Sequence, residues 1–508
     1  MSGFGERPII CPRGRGKAEA KTVRDEDRVL GTAKRRAGIS LLATLGVVGL
    51  AHAADVATAQ PPEQGPPPPN CWASLRDFLN STALDCPLTY AGFTLYGSID
   101  MGVGYQSNGA PFNGSYPDGV DYLISKQSYG AKWLWSPNPT GQSQLGVSMS
   151  EPLGAGWTLI GDLEFGFDPY SLQLANGPRS LVENNGVPLA DQSANSDSSR
   201  AGQIDNSQGF LGLSHATFGE LKFGRVNSLT LDAVSAYDPM SAAYAFSALG
   251  ASSALRGFGL TELARSNTAF KYRWANSNFR VAALAQVGGY DQGNGAAGKL
   301  EAQVGADFGG LSVDAVFSRA RDAVSLSNYT SLPSGDTQDD LKATLSDNVG
   351  VSLLAKYAWG PVKFYVGWET SRLSNPSGSY PNGFTSLDGY TVLGSAITYD
   401  AYTVNKILRV AWTGAKYAIT DQLEVRAAVY YETQNDYYTG TCTGTGVNTS
   451  SDKCAGSLDA FSVMLDYRPV ARVDLYVGVM LSRVYGGLAS GYQAVSNVDP
   501  TVGLRIKF

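Results

Sequence analysis

The sequence predicts an all-β fold, a transmembrane antiparallel barrel of sixteen strands. Three observations carry that prediction. Segments of about ten residues alternate apolar and polar side chains, as half-buried strands do. The connections between them alternate short and long. The chain ends inside such a strand, at D-P-T-V-G-L-R-I-K-F, where Val502, Leu504, Ile506 and Phe508 share one face. A free, amphipathic terminal strand calls for a distant partner, and closure onto the first strand removes the open edges that hydrocarbon would not tolerate.

The elements follow in chain order. Residues 39–54 are apolar, follow Lys34, Arg35 and Arg36, and end near Ala51-His52-Ala53. Small residues at those positions suit signal peptidase, so residues 1–53 read as a signal peptide with an over-long n-region. Cleavage follows Ala53 or Ala54, and a later start codon is compatible with that length. Residues 54–91 form a separate segment. Within it, Q-P-P-E-Q-G-P-P-P-P at 60–69 reads as an extended polyproline-like spacer. Cys71 and Cys86 then bracket a short amphipathic helix.

From residue 92 to 508 the period is two. The segment 93–106 sets Phe93, Leu95, Ile99, Met101, Val103 and Tyr105 against Thr94, Ser98, Asp100 and Gln106. The same pattern predicts strands near 143–151, 156–167, 208–216, 220–226, 266–274, 278–288, 298–307, 311–320, 349–358, 362–372, 406–417, 421–433, 458–467, 472–484 and 499–508. Turns such as 152–155, 217–219 and 308–310 are short, whereas 168–207, 227–265, 321–348, 373–405 and 434–457 are long. Tight turns on the periplasmic side and long external loops are what an outer-membrane barrel has. An even strand count puts both termini on the short-turn side. Trp157, Phe167, Trp274, Trp359, Tyr431 and Phe508 lie near strand ends, where aromatic girdles form.

Composition narrows the function. Residues 1–53 hold ten Lys/Arg and five Asp/Glu, so the chain from Ala54 keeps 29 bases and 40 acids, a net charge of −11. That argues against nucleic acid. The chain beyond the leader has one histidine, His215, which alternation turns outward, so no activated nucleophile is apparent. No enzyme activity, cofactor or metal is expected. Cys71, Cys86, Cys442 and Cys454 allow three connectivities, of which the local pairs are the simplest in an exported protein.

Several segments resemble, in order, the Gram-negative general porin family. F-T-L-Y-G-S-I-D-M-G-V-G-Y-Q-S-N-G at 93–109 is similar to its first strand, and L-G-V-S-M-S-E-P-L-G-A-G-W at 145–157 to its second hairpin. F-G-E-L-K-F-G-R-V-N-S at 218–228 resembles the approach to its constriction loop, R-S-N-T-A-F-K-Y at 265–272 its sixth strand, and V-G-L-R-I-K-F its last. The resemblance implies a trimeric pore in the outer membrane for passive diffusion of small hydrophilic solutes and ions. It also implies an inward-folded third loop, and a terminal strand read by the outer-membrane assembly machinery through Phe508. A substrate-specific channel or surface receptor on the same barrel is the alternative. The segment 55–91 departs from the family and reads as a periplasmic tether or a plug.

The segment 229–264 stands where the inward loop belongs. It is mostly small and apolar, with acids Asp232, Asp238 and Glu262. Strand parity points Lys271, Arg273, Arg280, Lys356, Arg409, Arg426 and Arg505 into the lumen. For Arg225, alternation gives the outer face but the family motif gives the pore, and the motif is followed here. The expectation is a wall of cations facing loop acids across the constriction.

Overall fold

A computed structural model describes residues 71–108, 130–170, 172, 208–249, 265–287, 298–328, 341–377, 392–443, 451–490 and 494–508. The expected leader and Pro-rich spacer lie outside the described residues, as does Glu262.

The chain folds as a closed antiparallel barrel of sixteen wall positions. Among the described residues it begins with α1 (Leu75–Asn80) and β1 (Leu88–Tyr90). The wall runs through β2 (Phe93–Gln106), β3 (Lys132–Pro137) with β4 (Ser143–Gly154), β5 (Trp157–Phe167), β6 (Gly209–His215) and β7 (Gly219–Asn227). After α2 (Leu229–Tyr237) it continues with β8 (Arg265–Ala275), β9 (Phe279–Gln286), β10 (Gly298–Phe308), β11 (Leu311–Asn328), β12 (Leu341–Trp359) and β13 (Val362–Ser374). The short β14 (Val392–Thr398) precedes β15 (Lys406–Ala418), β16 (Leu423–Gln434), β17 (Gly456–Val470), β18 (Val473–Gly486) and β19 (Ser496–Lys507).

Closure is where the terminal strand predicts it. β19 pairs antiparallel with β2, from Thr501 opposite Gly104 to Lys507 opposite Ser98. Phe508 and Gly97 exchange two backbone hydrogen bonds of 3.0 Å. A Cβ on Gly97 would meet the Phe508 ring at 2.6 Å, so the glycine makes room for that ring.

Three strands were not expected, and one loop is shorter than expected. β3 and β4 share one wall position, pairing with the two halves of β2. The break between them is Asn138–Gln142, where Asn138 has φ 57° and Asn138 and Asp100 tie the chain down. β1 and β14 are short additions on β2 and β12. Of the segment 321–348, expected as a loop, the described residues 321–328 and 341–348 are strand, because β11 and β12 stay paired beyond the expected bounds.

The protein is inside out relative to a water-soluble one. Leu95, Ile99, Met101, Leu163, Leu211, Phe223, Val304 and Leu353 are exposed on the outer face, whereas Asp100, Glu164, Lys271, Glu301 and Arg426 are buried on the inner face. That arrangement suits lipid outside and a polar lumen. On the short-turn rim Trp157 and Phe218 flank His215, at ring-centroid distances of 4.9 and 4.6 Å from it. His215 therefore belongs to an aromatic girdle.

Candidate functional site: the inward segment and the charged lumen wall

The chain from Ser228 to Leu249 lies inside the barrel. Ser228 caps α2, accepting from Leu231 N–H. Glu301 of β10 reaches the same helix end, where Oε2 accepts from Leu229 N–H at 2.6 Å and Oε1 from Thr230 Oγ1 at 3.2 Å. Free N–H groups and the positive end of the helix dipole favour a carboxylate there. The opposite end faces a cation: Lys356 Nζ donates to Ala236 O at 3.2 Å and lies 4.7 Å from the centre of the Tyr237 ring.

Side chains fix the rest. Asp232 Oδ2 lies 2.6 Å from Lys271 Nζ and 3.0 Å from Arg273 Nη1 on β8. Arg280 of β9 donates to Tyr237 Oη at 2.7 Å while gripping Asp314 and Asp307. Trp412 Nε1 donates to Tyr237 O at 3.0 Å. Asp238 accepts from Tyr430 Oη at 2.6 Å and from the backbone N–H groups of Met240 and Ala242. Burial pushes the Asp238 carboxyl above its usual range, against the lowering effect of those donors. Farther on, Lys416 Nζ donates to Ser241 Oγ at 2.5 Å, and Ala245 N–H donates to Pro139 O at 2.7 Å in the break between β3 and β4. The segment thus spans the lumen from β8–β16 to the wall opposite.

Its apolar residues explain its course. Leu229, Val234, Tyr237, Met240, Phe246 and Leu249 pack in one cluster with inward-facing Leu284, Val316, Leu354, Leu408, Val410, Trp412, Met464 and Met480. Each buried side chain of this size is worth roughly 1.5–3 kcal/mol over exposure.

On the short-turn side of the segment lies a ladder of alternating charge. Arg426 donates to Glu424 at 2.7 Å and to Asp466 at 2.9 Å. Arg468 meets Asp466 at 3.1 Å. Asp474 accepts from Arg505 at 2.9 Å and Lys507 at 2.8 Å. Asp100 accepts from Tyr476 Oη and Thr140. Between ladder and segment is a small gap with room for about one water, lined in part by Thr140, Ser241, Arg426, Asp466, Asp474 and Arg505.

The sequence-based residues fare unevenly. Lys271, Arg273, Arg280, Lys356, Arg426 and Arg505 face inward, but Asp232 and Asp238 touch wall groups directly instead of facing them across a gap. Arg409 is a correction. It is exposed between buried Leu408 and Val410, and Trp412 and Lys416 on its strand reach the inward segment, so Arg409 faces outward. Arg225 is a second correction. It stands opposite Gly209, on the face of exposed Leu211 and Leu213, and donates from Nη1 to Asn267 Oδ1 at 2.6 Å. Alternation, not the motif, gives its face. Cys71 bonds to Cys86 and Cys442 to Cys454, the local pairing. Glu301 and Tyr430 escaped sequence reading. Glu301 lies on the polar face of its strand, and only the nearby helix end gives it a task.

The model of the Gram-negative porin family matches residues 43–486. The chain belongs to the Gram-negative porin family. It is a channel for passive diffusion across the bacterial outer membrane. Solved structures agree on the fold. An anion-selective porin from Comamonas acidovorans shares 15% identity at a TM-score of 0.51, covering 82% of this chain and 99% of the other. The outer membrane protein OmpT of Vibrio cholerae, folded in vitro, gives 15% and 0.51, covering 83% and 100%. No curated protein matches the chain by sequence. The porin's inward segment is thus held by its own wall.

Proposed function

We propose that this porin sorts small hydrophilic solutes with two devices in series. The segment 229–249 sets the width of the path. The ladder Glu424, Arg426, Asp466, Arg468, Asp474, Arg505 and Lys507 sets its charge preference. The observation that supports this reading is the use of Asp232, Asp238 and their wall partners as fasteners. Asp232 and Asp238 are buried where the segment docks, so they serve poorly as a field across the lumen. Within the ladder, Arg468 and Glu424 stay partly exposed and so meet a passing ion at short range.

The short turns face the periplasm and the long loops face outside, the porin works as a homotrimer, and lipid covers the exposed apolar belt. Phe508, docked on Gly97, is the residue the assembly machinery reads. No chemistry is catalysed; transport is passive. Planar-bilayer recording in a salt gradient tests the reading. Ohmic steps are expected, with a reversal potential that moves when ladder residues are neutralised. Asp232, Asp238 and Glu262 changed together to Asn, Asn and Gln alter conductance more than selectivity. A reversal potential that follows the loop acids and ignores the ladder overturns the division of labour.

A further inference from the structure

The segment from Cys71 to Tyr90 is a compact unit outside the barrel wall, and the general role of the fold does not use it. Its disulfide joins Cys71 to Cys86, and both cysteines are buried. Ser74 caps the six-residue α1, accepting from Asp77 N–H. Two contacts tie the unit to the barrel, and they fall on opposite sides of one strand.

The first is a strand pairing. The edge of β2 that faces β19 is covered by β19 from Gly104 to Ser98, and by Phe508 at Gly97. Beyond that point β19 has ended. β1 takes over, with Leu88 opposite Leu95, Thr89 opposite Thr94 and Tyr90 opposite Phe93. Thr89 and Thr94 also share a side-chain hydrogen bond of 2.7 Å. Without β1, the end of β2 would present an open edge at the rim.

The second is an arginine. Arg472 occupies the short turn between β17 and β18 and is only 1% exposed. Nε donates to Phe78 O at 3.0 Å, and Nη2 to Thr82 O at 3.0 Å and Cys86 O at 2.8 Å. The guanidinium lies 4.0 Å from the centre of the Phe78 ring. Arg472 N–H donates to Leu79 O, and Arg472 O accepts from Lys507 N–H. One residue thus caps the carbonyls of the disulfide unit and borders the last strand. A planar, multi-donor guanidinium suits this task, and lysine would not reproduce it.

We propose that the Cys71–Cys86 unit is a clasp over the closing seam of the barrel. It holds β2 through β1 and the β17–β18 turn through Arg472, and so bridges the strand between them, β19. The seam joins the first and last strands of the barrel wall and is the one wall contact among the described strands with no connecting turn. A clasp at this rim lowers the rate at which β2 and β19 part, and the disulfide keeps the clasp folded.

The test is hydrogen exchange of the full-length folded barrel in detergent, read peptide by peptide. Two variants are compared with the parent: Arg472→Gln, and Cys71→Ser with Cys86→Ser. The parent reduced after folding is a third sample. In each, amides in 93–104 and 498–508 are expected to exchange about tenfold faster, as local opening of the seam becomes easier. Amides in 311–320 and 362–372 are expected to stay at the parent rate. Unchanged seam exchange in Arg472→Gln overturns the proposal, and so does equal acceleration across all strands. If the serine variant fails to reach the folded barrel, Arg472→Gln and the reduced parent decide by the same pattern.

Discussion

The inner face of the barrel is two different surfaces. From β8 to β18 the wall under the inward segment carries apolar side chains, among them Leu284, Val316, Leu354, Leu408, Val410 and Trp412, set around buried ion pairs. From β2 to β5 the inner face is polar, with Tyr96, Asp100, Gln144, Asp162 and Glu164, and Tyr96 Oη donates to both Asp162 and Glu164. The first surface binds protein and the second faces the polar lumen. The difference teaches that a lumen charge has a role only once its partner is known. Lys271 and Arg273 would define a selectivity filter on the second surface; on the first they hold Asp232.

The largest effect should come from breaking the fastened wall. Asp232→Asn removes the carboxylate that Lys271 and Arg273 share. Loss of one partner of a buried pair costs about 3–5 kcal/mol, all of it charged to the docking of α2. Single-channel records should show added high-conductance sublevels, while the closed barrel persists as a heat-modifiable band on gels. Adding Lys271→Met should restore part of the loss, since it removes the stranded cation. A quiet trace at the parent conductance would falsify the fastening role.

Neutralising the ladder should change selectivity and leave the segment in place. A unit charge 4 Å from an ion's path is worth about 1 kcal/mol in water and ~4 kcal/mol at an effective dielectric of ~20. Asp474→Asn leaves Arg505 and Lys507 in excess and should shift the reversal potential towards anions. Arg426→Gln should shift it towards cations. Equal shifts from Asp232→Asn would erase the distinction between fasteners and ladder.

How far this was legible in the sequence follows from the same comparison. Where lipid lies on one side and water on the other, alternation suffices: β2, β5 and β19 have the faces read from Leu95, Leu163 and Val502. Under the inward segment the rule fails, because both faces of β15 are apolar in part. Leu408, Val410 and Trp412 look like a lipid face, yet they touch Tyr237 and its neighbours. Strand parity then points Arg409 into the lumen, whereas the structure turns it outward. The loop was legible as an apolar segment in need of a wall; which wall residues it would claim was not, since Glu301 and Tyr430 are ordinary polar-face positions until α2 docks.

Asp238 tests the first surface more gently. Asp238→Asn keeps an oxygen for Tyr430 and the N–H of Met240 but replaces Oδ2, the acceptor for the N–H of Ala242, at about 1–3 kcal/mol. Burial raises the parent carboxyl, so the folded state prefers it protonated. Its contribution is full below the unfolded value of about 3.9 and is lost as pH rises through the higher folded value. Melting temperatures of the variant should therefore vary less with pH across that window than those of the parent. Parallel pH profiles would remove Asp238 from the set of fasteners.

The smallest effect should come from the two cations that alternation places outside. Arg409 sits three residues into β15, near the long-loop rim, and Arg225 lies near the same end of β7. Exposed Arg409 is solvated or meets anionic headgroups, and its removal should change stability by no more than about 0.5 kcal/mol. Arg409→Gln should leave conductance and reversal potential at the parent values, because the strand itself screens that side chain from the path. Arg225→Gln should do the same to the reversal potential, with a slight cost from the lost bond to Asn267. If either substitution shifts selectivity as Arg426→Gln does, that strand has the opposite face to the one its register gives, and the boundary between the two walls moves with it.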